Sequence, residues 1–379
     1  MKIKNNGFTL IELLAVIVIL AIIAVIAVPI VLNIINDTKE SAILRSADFY
    51  LDGIELSLAQ ATLKNKNITD GVYNISEGNI CLNTDCSDKL EVEIKGEVPK
   101  TGSIFISKGQ IEDISLNIED KIIGQNNKGE IVYYNKLTDI CELKTATEEN
   151  KISAGDKYEC KVKAGTKYTF YVLTEPTDKS VNLIMDQNIN SDGTPAGMTG
   201  TRKSGENVYN LVAWNNESGQ STNAYGPVTA MTFLYNATKD WTNIDPVNYT
   251  YNDKTTQGTT AENTSYTSFV STNGVAVITP LSGDGITIGT SDAPLRARMP
   301  IFAGNTSITE VTSKTNAPYL YDNIDLAGNA APYGYLTLSS NADFSNYAWR
   351  VDNDGYVDYG HDVDVDFGLG VRAVINLKI

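Results

Sequence analysis

The sequence predicts an α+β fold in which a long N-terminal helix packs on a small antiparallel sheet and a loop-rich, mostly β region follows. Three observations lead to this prediction. An apolar run at Phe8–Ile35 contains one charge, Glu12, and an amphipathic pattern continues it to about Lys64. Short β-type runs separated by glycine turns occupy residues 71–135. Beyond them the chain is rich in Tyr, Asn, Thr and Gly, and its strand-like runs are irregularly spaced.

The first element is a polar leader, residues 1–7, which carries Lys2 and Lys4. The apolar run that follows is 28 residues long, and a helix needs only about 20 to span a bilayer. A secretory signal peptide has its cleavage site after the apolar segment, whereas the small residue here, Gly7, precedes it. Cleavage at Gly7 would leave the apolar segment on the mature chain. We therefore interpret residues 8–35 as a membrane anchor.

Glu12 places a carboxylate one turn inside the apolar run, where it costs roughly 2.5–3.5 kcal/mol on insertion scales and requires a partner. The run itself contains no cation. Cleavage after Gly7 would create one, the α-amine of Phe8. A neighbouring chain shifted along the helix axis could present this amine to Glu12, so Glu12 is predicted to act in assembly.

The junction reads KNNGFTLIEL at residues 4–13. It resembles the cleavage and methylation site of type IV prepilins and their pseudopilin relatives, in which a membrane peptidase cuts after the glycine and N-methylates the phenylalanine. The resemblance implies cleavage between Gly7 and Phe8, with N-methyl-Phe8 at the mature terminus, and it implies that the anchor at residues 8–35 is also the filament-core helix. Pro29, 21 residues after Phe8, resembles the proline that loosens the helix of those proteins. Pro29 as a marker of the bilayer exit is the plainer interpretation, and both can hold.

The chain from residue 36 to about Lys64 carries apolar residues at steps of three and four, which predicts a helix with one buried stripe. The stripe consists of Ile43, Ala47, Tyr50, Leu51, Ile54, Leu58 and Ala61. We expect this half of the helix to pack on a sheet.

The sheet is predicted from four short runs. The first two flank Lys108-Gly109, a sequence typical of a hairpin turn. The four runs are Ser103–Ser107, Ile114–Ile118, Lys121–Gly124 and Glu130–Tyr134. Residues 36–144 are therefore expected to form a helix-plus-sheet pilin domain.

The four cysteines all follow the anchor: Cys81, Cys86, Cys141 and Cys160. An even number in an extracellular segment favours disulfides. Proximity along the chain favours Cys81 with Cys86 and Cys141 with Cys160, the second pair bracing a domain junction. Free thiols and a metal site are the alternatives, although the spacings C-x4-C and C-x18-C lack the C-x2-C pair typical of structural zinc.

A polar segment at Thr145–Lys151 is interpreted as a linker, and residues 152–379 as an extracellular domain. One amphipathic segment, near Gly226–Asn236, is expected to form a short helix. The three tryptophans, Trp214, Trp241 and Trp349, are expected in the core. Strands are expected at Tyr168–Thr174, Asn182–Met185, Leu211–Trp214, Tyr347–Val351 and Val371–Leu377. The abundance of loops suits a binding module.

Six segments of this region have a familiar order: VNLIMDQNI at 181–189, VAWN at 212–215, GPVTA at 226–230, RARMP at 296–300, AWRVDNDGYV at 348–357 and GLGVRAVINL at 368–377. The succession resembles surface domains of Gram-positive bacteria that are loop-rich relatives of the C-type lectin-like and formylglycine-generating-enzyme folds. Those domains end in a strand of the pattern G-V-R-P-V-I-x-L, and Ala373 stands at the position of its proline. The region lacks a Glu-Pro-Asn or Gln-Pro-Asp tripeptide and any cysteine after Cys160, so the resemblance implies neither calcium-dependent sugar binding nor copper-dependent oxidation.

Five aspartates lie near the C-terminus: Asp352, Asp354, Asp362, Asp364 and Asp366. The last three alternate with valines, so on a strand their carboxylates would project from one face. Calcium would relieve their repulsion, because it prefers oxygen ligands. The alternative is a solvated acidic strand face.

Composition limits the function further. A net charge of −16 and a pI near 4.5 argue against nucleic acid as a partner. Lysines before the anchor and a long acidic chain after it place the N-terminus in the cytoplasm and the remainder outside. The single histidine, His361, and the lack of a nucleophile and base motif argue against an enzyme.

These observations predict a type IV pilus subunit that assembles through its N-terminal helix and displays a C-terminal adhesion domain. About 230 residues beyond the linker would crowd a filament, which favours a minor or tip subunit. The expected partners are other pilin subunits, a prepilin peptidase and methylase, the assembly platform, the cytoplasmic membrane before assembly, and an unknown extracellular ligand. The alternatives are a pseudopilin of a type II-secretion-like or competence machine and an extracellular enzyme carried on an anchor.

Overall fold

The structure is a computed structural model. It describes residues 10–66, 68–83, 85–94, 96–119, 121–126, 129–196, 212–216, 222–223, 226–246, 269–272, 275–278, 293–301, 317–320, 334–340, 344–352, 357–364 and 369–379.

One helix, α1 (Leu10–Leu63), forms the spine of the molecule. Its 54 residues correspond to about 80 Å of helix at 1.5 Å per residue. The large apolar side chains described up to Ile35 are exposed, and this stretch is long and apolar enough to cross a membrane. Burial begins at Ile43. The predicted α+β class, with one continuous apolar-to-amphipathic helix, is confirmed.

The first sheet is antiparallel, and its strand order is β3-β2-β1-β4-β5-β6-β7. The strands are β1 (Gly71–Ser76), β2 (Asn79–Cys81), β3 (Lys89–Leu90), β4 (Thr101–Ser107), β5 (Gln110–Ile118), β6 (Lys121–Gln125) and β7 (Ile131–Tyr133). The four predicted runs are strands β4 to β7. Lys108 and Gly109 have φ of 52° and 75°, as a tight hairpin turn requires. Strands β1 to β3 were not predicted individually.

The predicted helix stripe packs on this sheet. Ile43, Ala47, Tyr50, Ile54 and Leu58 are buried in one cluster with the inward side chains of the strands. Those side chains include Ile75, Ile80, Ile104, Ile114, Leu116, Ile118 and Ile123. The Tyr50 hydroxyl donates to the Gly78 carbonyl oxygen (3.0 Å), and burial raises the pKa of Tyr50, so it stays neutral.

The remaining elements are α2 (Leu137–Ile140), β8 (Cys141–Thr145), β9 (Lys157–Lys163), β10 (Thr166–Val172), β11 (Ser180–Met185), α3 (Val228–Thr238), β12 (Phe269–Thr272), β13 (Val275–Ile278), β14 (Gly334–Ser340), β15 (Tyr347–Asp352), β16 (Val357–Asp362) and β17 (Val374–Lys378). They form sheets ordered β17-β11-β10-β9-β8, β12-β13 and β14-β15-β16. Predicted strands correspond to β10, β11, β15 and β17, and the predicted helix to α3. Val212–Trp214 is not a strand, because Trp214 instead fills the core beside β14, donating its Nε1–H to Thr337 O (2.9 Å).

Two of the three tryptophans match the prediction. Trp214 and Trp241 are buried in the main core of this region. Trp349 is only half-buried, because its neighbour on β15, Ala348, is the residue that enters the main core.

The expected linker at Thr145–Lys151 needs correction. β8 pairs with β9, so this segment connects two neighbouring strands of one sheet and does not separate two domains. Its residue Thr147 donates from N and Oγ1 to Asp156 Oδ1, at 2.6 and 2.7 Å. Leu137 and Ile140 already belong to the core of the second sheet. The C-terminal region therefore begins near residue 137, ahead of the expected boundary at 144.

Candidate assembly helix and the contacts that hold the C-terminal region

The predicted processing and assembly residues lie at the start of α1. Gly7 and Phe8 lie outside the described residues. Glu12 is within the backbone of α1, and Pro29 lies inside the same helix, which continues on both sides of it. The exposed apolar half therefore leads without a break into the half that packs on the first sheet.

A segment after β3 crosses α1 at Gly53. Ser57 Oγ donates to the Glu91 carbonyl oxygen (3.0 Å). A Cβ at Gly53 would lie 2.5 Å from Ile94 Cγ2 and 3.0 Å from Val92 Cγ1, closer than carbon atoms approach without displacement. Sequence analysis missed this crossing, although a glycine within a long amphipathic helix is a signal of close approach.

The first sheet is covered on its second face as well. Ser103 and Ser115 are paired across β4 and β5, point away from α1, and are fully buried. Ser103 Oγ lies 3.0 Å from Thr242 Oγ1 and accepts from Ala164 N–H (3.2 Å). Residues after β9 and α3 therefore occupy the face that a solitary sheet would expose to water.

A largely buried ion pair joins the first sheet to the C-terminal region at this face. Lys161 Nζ on β9 lies 3.0 Å from Asp113 Oδ1 on β5, and the two side chains are 14% and 12% exposed. Lys161 also donates to the Gln125 carbonyl oxygen (3.0 Å) and to the Tyr134 hydroxyl (3.1 Å). The three ammonium protons thus have three acceptors.

Both oxygens of the Asp113 carboxylate also have backbone hydrogen-bond donors. Asp113 Oδ2 accepts from Gly165 N–H (2.8 Å), and Oδ1 accepts from Ile114 N–H (3.0 Å). Burial, together with the charges of Asp113 and Asp139, raises the pKa of Tyr134. Its hydroxyl therefore stays protonated and donates to Gln125 O (2.6 Å). Moving the C-terminal region away from the first sheet would leave both charges without their partners, which is costly for groups with so little exposure.

The four cysteines form the two disulfides that proximity favoured, Cys81–Cys86 and Cys141–Cys160. Cys81 ends β2, the second strand from one edge of the first sheet. Cys141 and Cys160 face each other directly across β8 and β9. The second disulfide therefore lies within the second sheet, and it does not brace a junction between separate domains as expected.

The C-terminal aspartates do not form the expected alternating strand. β16 ends at Asp362, which accepts from Asn346 Nδ2 (2.8 Å). Val363 then turns inward and is buried, and Asp364 is exposed in the turn. Asp352 ends β15, whereas Asp354 and Asp366 lie outside the described residues. No group of three His, Cys, Asp or Glu side chains suited to a metal occurs in the described part of the chain, so calcium binding stays a prediction.

A buried arginine organises the loops around the second sheet. Arg372 is fully buried and donates to the carbonyl oxygens of Met185, Asp186, Tyr319 and Leu320. Its guanidinium lies 5.2 Å from the centre of the Tyr335 ring. These contacts join β11, β17, β14 and the turn at Pro318–Leu320. In a region rich in loops, they take the place of regular strand pairing.

Comparisons with known proteins address the N-terminus. A family model described as the prokaryotic N-terminal methylation motif matches residues 2–28. No curated protein and no solved structure matches the chain, so the resemblance of the C-terminal region to C-type lectin-like domains gains no support.

The motif, followed by an exposed apolar helix, supports a secreted subunit of the type IV pilin or pseudopilin kind. It implies processing by a prepilin peptidase and assembly into a pilus-like complex. Membrane anchoring and extracellular display fit the same helix.

Proposed function

We propose that this protein is a subunit of a type IV pilus, that it assembles through α1, and that its C-terminal region binds an extracellular ligand. The observation that carries the proposal is the methylation motif at residues 2–28, because its described part, from Leu10 onward, belongs to the exposed half of a helix whose other half is packed in the fold. A helix of this kind can leave the membrane and pack against other subunits without disturbing the folded part.

The size of the C-terminal region favours a minor or tip subunit. Lys161 and Thr242 of the C-terminal region contact the face of the first sheet opposite α1, so every subunit would carry this region outside the helix layer. The region is proposed to act by binding and not by catalysis, since binding residues are commonly carried on loops that a rigid scaffold positions.

Assembly is tested by removing the intramembrane carboxylate. Glu12→Ala should insert in the membrane at least as well as the natural chain and be strongly depleted from sheared filaments, because the neighbour's α-amine loses its partner. Asp37→Ala removes an exposed carboxylate from the same helix beyond the apolar run and serves as the matched control. Wild-type recovery of the Glu12→Ala chain in filaments would contradict the pairing.

Location and binding are tested on the same filaments. Fab fragments raised against residues 152–379 should label filament ends or sparse positions along the shaft, and they should block attachment of the cells. Processed protein that is missing from surface filaments would favour the pseudopilin alternative. Labelling without any effect on attachment would refute the binding role.

A further inference from the structure

The turn that leads into β15, Phe344–Tyr347, presents two aromatic rings at one end of the three-stranded sheet. We refer to it as the aromatic turn. Phe344, Ser345 and Asn346 are exposed, and Tyr347 is half-buried. Phe344 is 49% exposed, and its ring centre lies 5.6 Å from that of Tyr347, with the two planes at 43°. Two neighbouring rings therefore reach the surface on one short turn.

Hydrogen bonds from the interior fix the backbone of the aromatic turn. Asn223, which is buried, donates from Nδ2 to the carbonyl oxygens of Phe344 (2.9 Å) and Tyr347 (2.8 Å). Its N–H donates to Ser345 O (2.6 Å), and the remaining carbonyl oxygen of the turn accepts from Val363 N–H (2.9 Å). All four carbonyl oxygens have donors, so the backbone that carries the rings is ordered before a ligand arrives. Binding to such a surface costs little conformational entropy.

Polar groups adjoin the rings at the same end of the sheet. Tyr347 at the start of β15 pairs directly with Asp362 at the end of β16, so the two side chains lie on the same face. Asp362 Oδ1 accepts from Asn346 Nδ2 (2.8 Å). This bond orients both side chains and leaves Asp362 Oδ2 and Asn346 Oδ1 as acceptors beside the rings.

A neutral sugar ring matches this combination of groups. One face of a hexopyranose consists of C–H groups, which are weakly positive and pack on the negative face of an aromatic ring. Its edge carries hydroxyl groups, which donate to carboxylate and amide oxygens.

The charges and the ring geometry disfavour two other classes of ligand. The carboxylates of Asp362 and the exposed Asp364, on a chain with a net charge of −16, would repel an anionic polymer. An aromatic cage surrounds a quaternary ammonium group with several rings. The two rings of the aromatic turn, tilted at 43°, form an open surface and not a cage.

We propose that the aromatic turn and Asp362 form a binding site for a neutral glycan. Phe344 and Tyr347 contact the face of a sugar ring, and Asn346 and Asp362 accept from its hydroxyl groups. The inference rests on the proposed function, since it names the class of ligand that the C-terminal region binds and the part of the fold that binds it.

The full-length chain, purified in detergent, tests the site on immobilised neutral glycans that end in glucose, galactose, mannose or N-acetylglucosamine. At least one of these glycans should retain the natural chain, and Phe344→Ala should weaken that binding at least about fivefold. Phe344→Tyr keeps an aromatic ring and should bind within about twofold of the natural chain. Leu143→Ala removes an apolar side chain on β8 that is 48% exposed; as the matched control it should leave binding unchanged.

Competition and a polar variant give a second readout. The methyl glycoside of the retained sugar should displace the chain, whereas choline and heparin should not. Asp362→Asn can still accept from Asn346 but replaces one acceptor oxygen by a donor, so it should weaken binding as well. The urea midpoint of each variant, followed by tryptophan fluorescence, should equal that of the natural chain.

Three results would overturn the glycan site. They are retention by none of the neutral glycans, displacement by choline or heparin but not by the methyl glycoside, and an equal loss of binding in Phe344→Ala and Leu143→Ala.

Sheared filaments separate this inference from the proposed function. A chain that binds the glycan in detergent but is absent from filaments would refute the pilus assignment alone. A chain that assembles and supports attachment of the cells, yet is retained by no neutral glycan, would refute the glycan site alone.

Discussion

Removing Lys161 tests whether the first sheet and the C-terminal region form one cooperative unit. Lys161→Met leaves the Asp113 carboxylate buried with the N–H groups of Gly165 and Ile114 but without its cation. Breaking a buried pair by removing one partner costs about 3–5 kcal/mol. Two remaining amide donors and the residual exposure of 12% at Asp113 place the expected loss at the lower end, about 3 kcal/mol.

The assay is urea unfolding of a soluble form that comprises residues 36–379. Its core is retained, because burial in α1 begins only at Ile43. Tryptophan fluorescence reports mainly on Trp214 and Trp241 in the C-terminal region, and far-ultraviolet circular dichroism includes α1. Both signals should change in one transition. Lys161→Met should move the midpoint of both signals to a lower urea concentration by the same amount.

The test is completed by a double variant and by a control at an exposed lysine. Asp113→Asn combined with Lys161→Met should cost less than the sum of the single changes by about 0.5–3 kcal/mol, because the two side chains interact. Lys144→Met removes an exposed lysine that contacts Glu142 and Glu159 and should leave the midpoint unchanged. Separate fluorescence and dichroism transitions, or an unchanged midpoint for Lys161→Met, would refute the reasoning.

Three other predictions concern processing, the loop-organising arginine and pH. Gly7→Ala should leave most of the chain as uncut precursor, whereas the natural chain should begin at methylated Phe8; mass spectrometry of surface filaments decides, and an intact leader there would contradict the processing site. Arg372→Lys should lower the free energy of unfolding by at least about 3 kcal/mol, because an ammonium cannot reach four carbonyl oxygens; a urea midpoint like that of Lys144→Met would disprove it. Burial raises the pKa of Tyr319 and Tyr335 to about 12, above about 10 in the unfolded chain. Their stabilising contribution is therefore complete below pH 10 and is lost as the pH rises toward 12, and ultraviolet titration should show tyrosinate forming late and together with unfolding.

The helix and its buried stripe could be predicted because both depend on local periodicity. Residues at three- and four-residue steps, such as Ile43, Ala47 and Tyr50, lie on one side of any helix, whatever packs against them. The processing motif is equally local, since its signal lies within residues 4–13. The hairpin at Lys108-Gly109 follows from the turn residues themselves.

The second face of the first sheet could not be predicted in this way. In β5, Ser115 and Asn117 alternate with Leu116 and Ile118, a pattern typical of a strand with one face in water. The structure buries Ser115 completely, because residues from the C-terminal region cover it. The ion pair between Asp113 and Lys161 joins residues 48 positions apart, and no local pattern connects them.

The same limitation explains the misplaced linker. A polar run such as residues 145–151 is typical of a domain boundary and equally typical of a connection between adjacent strands. Only the pairing of β8 with β9 distinguishes the two, and that pairing depends on the sheet as a whole.

The first sheet is covered by α1 on one face and by the C-terminal region on the other, and this arrangement has a mechanical consequence. A load taken up by the C-terminal region reaches α1 through the Lys161–Asp113 pair, the Ser103–Thr242 contact and the strands between them. These connections act side by side, so none of them bears the whole force, as a single flexible tether would. If the C-terminal region binds a ligand as proposed, these parallel connections would hold its angle to α1 and would transmit torque, as well as tension, to the helix.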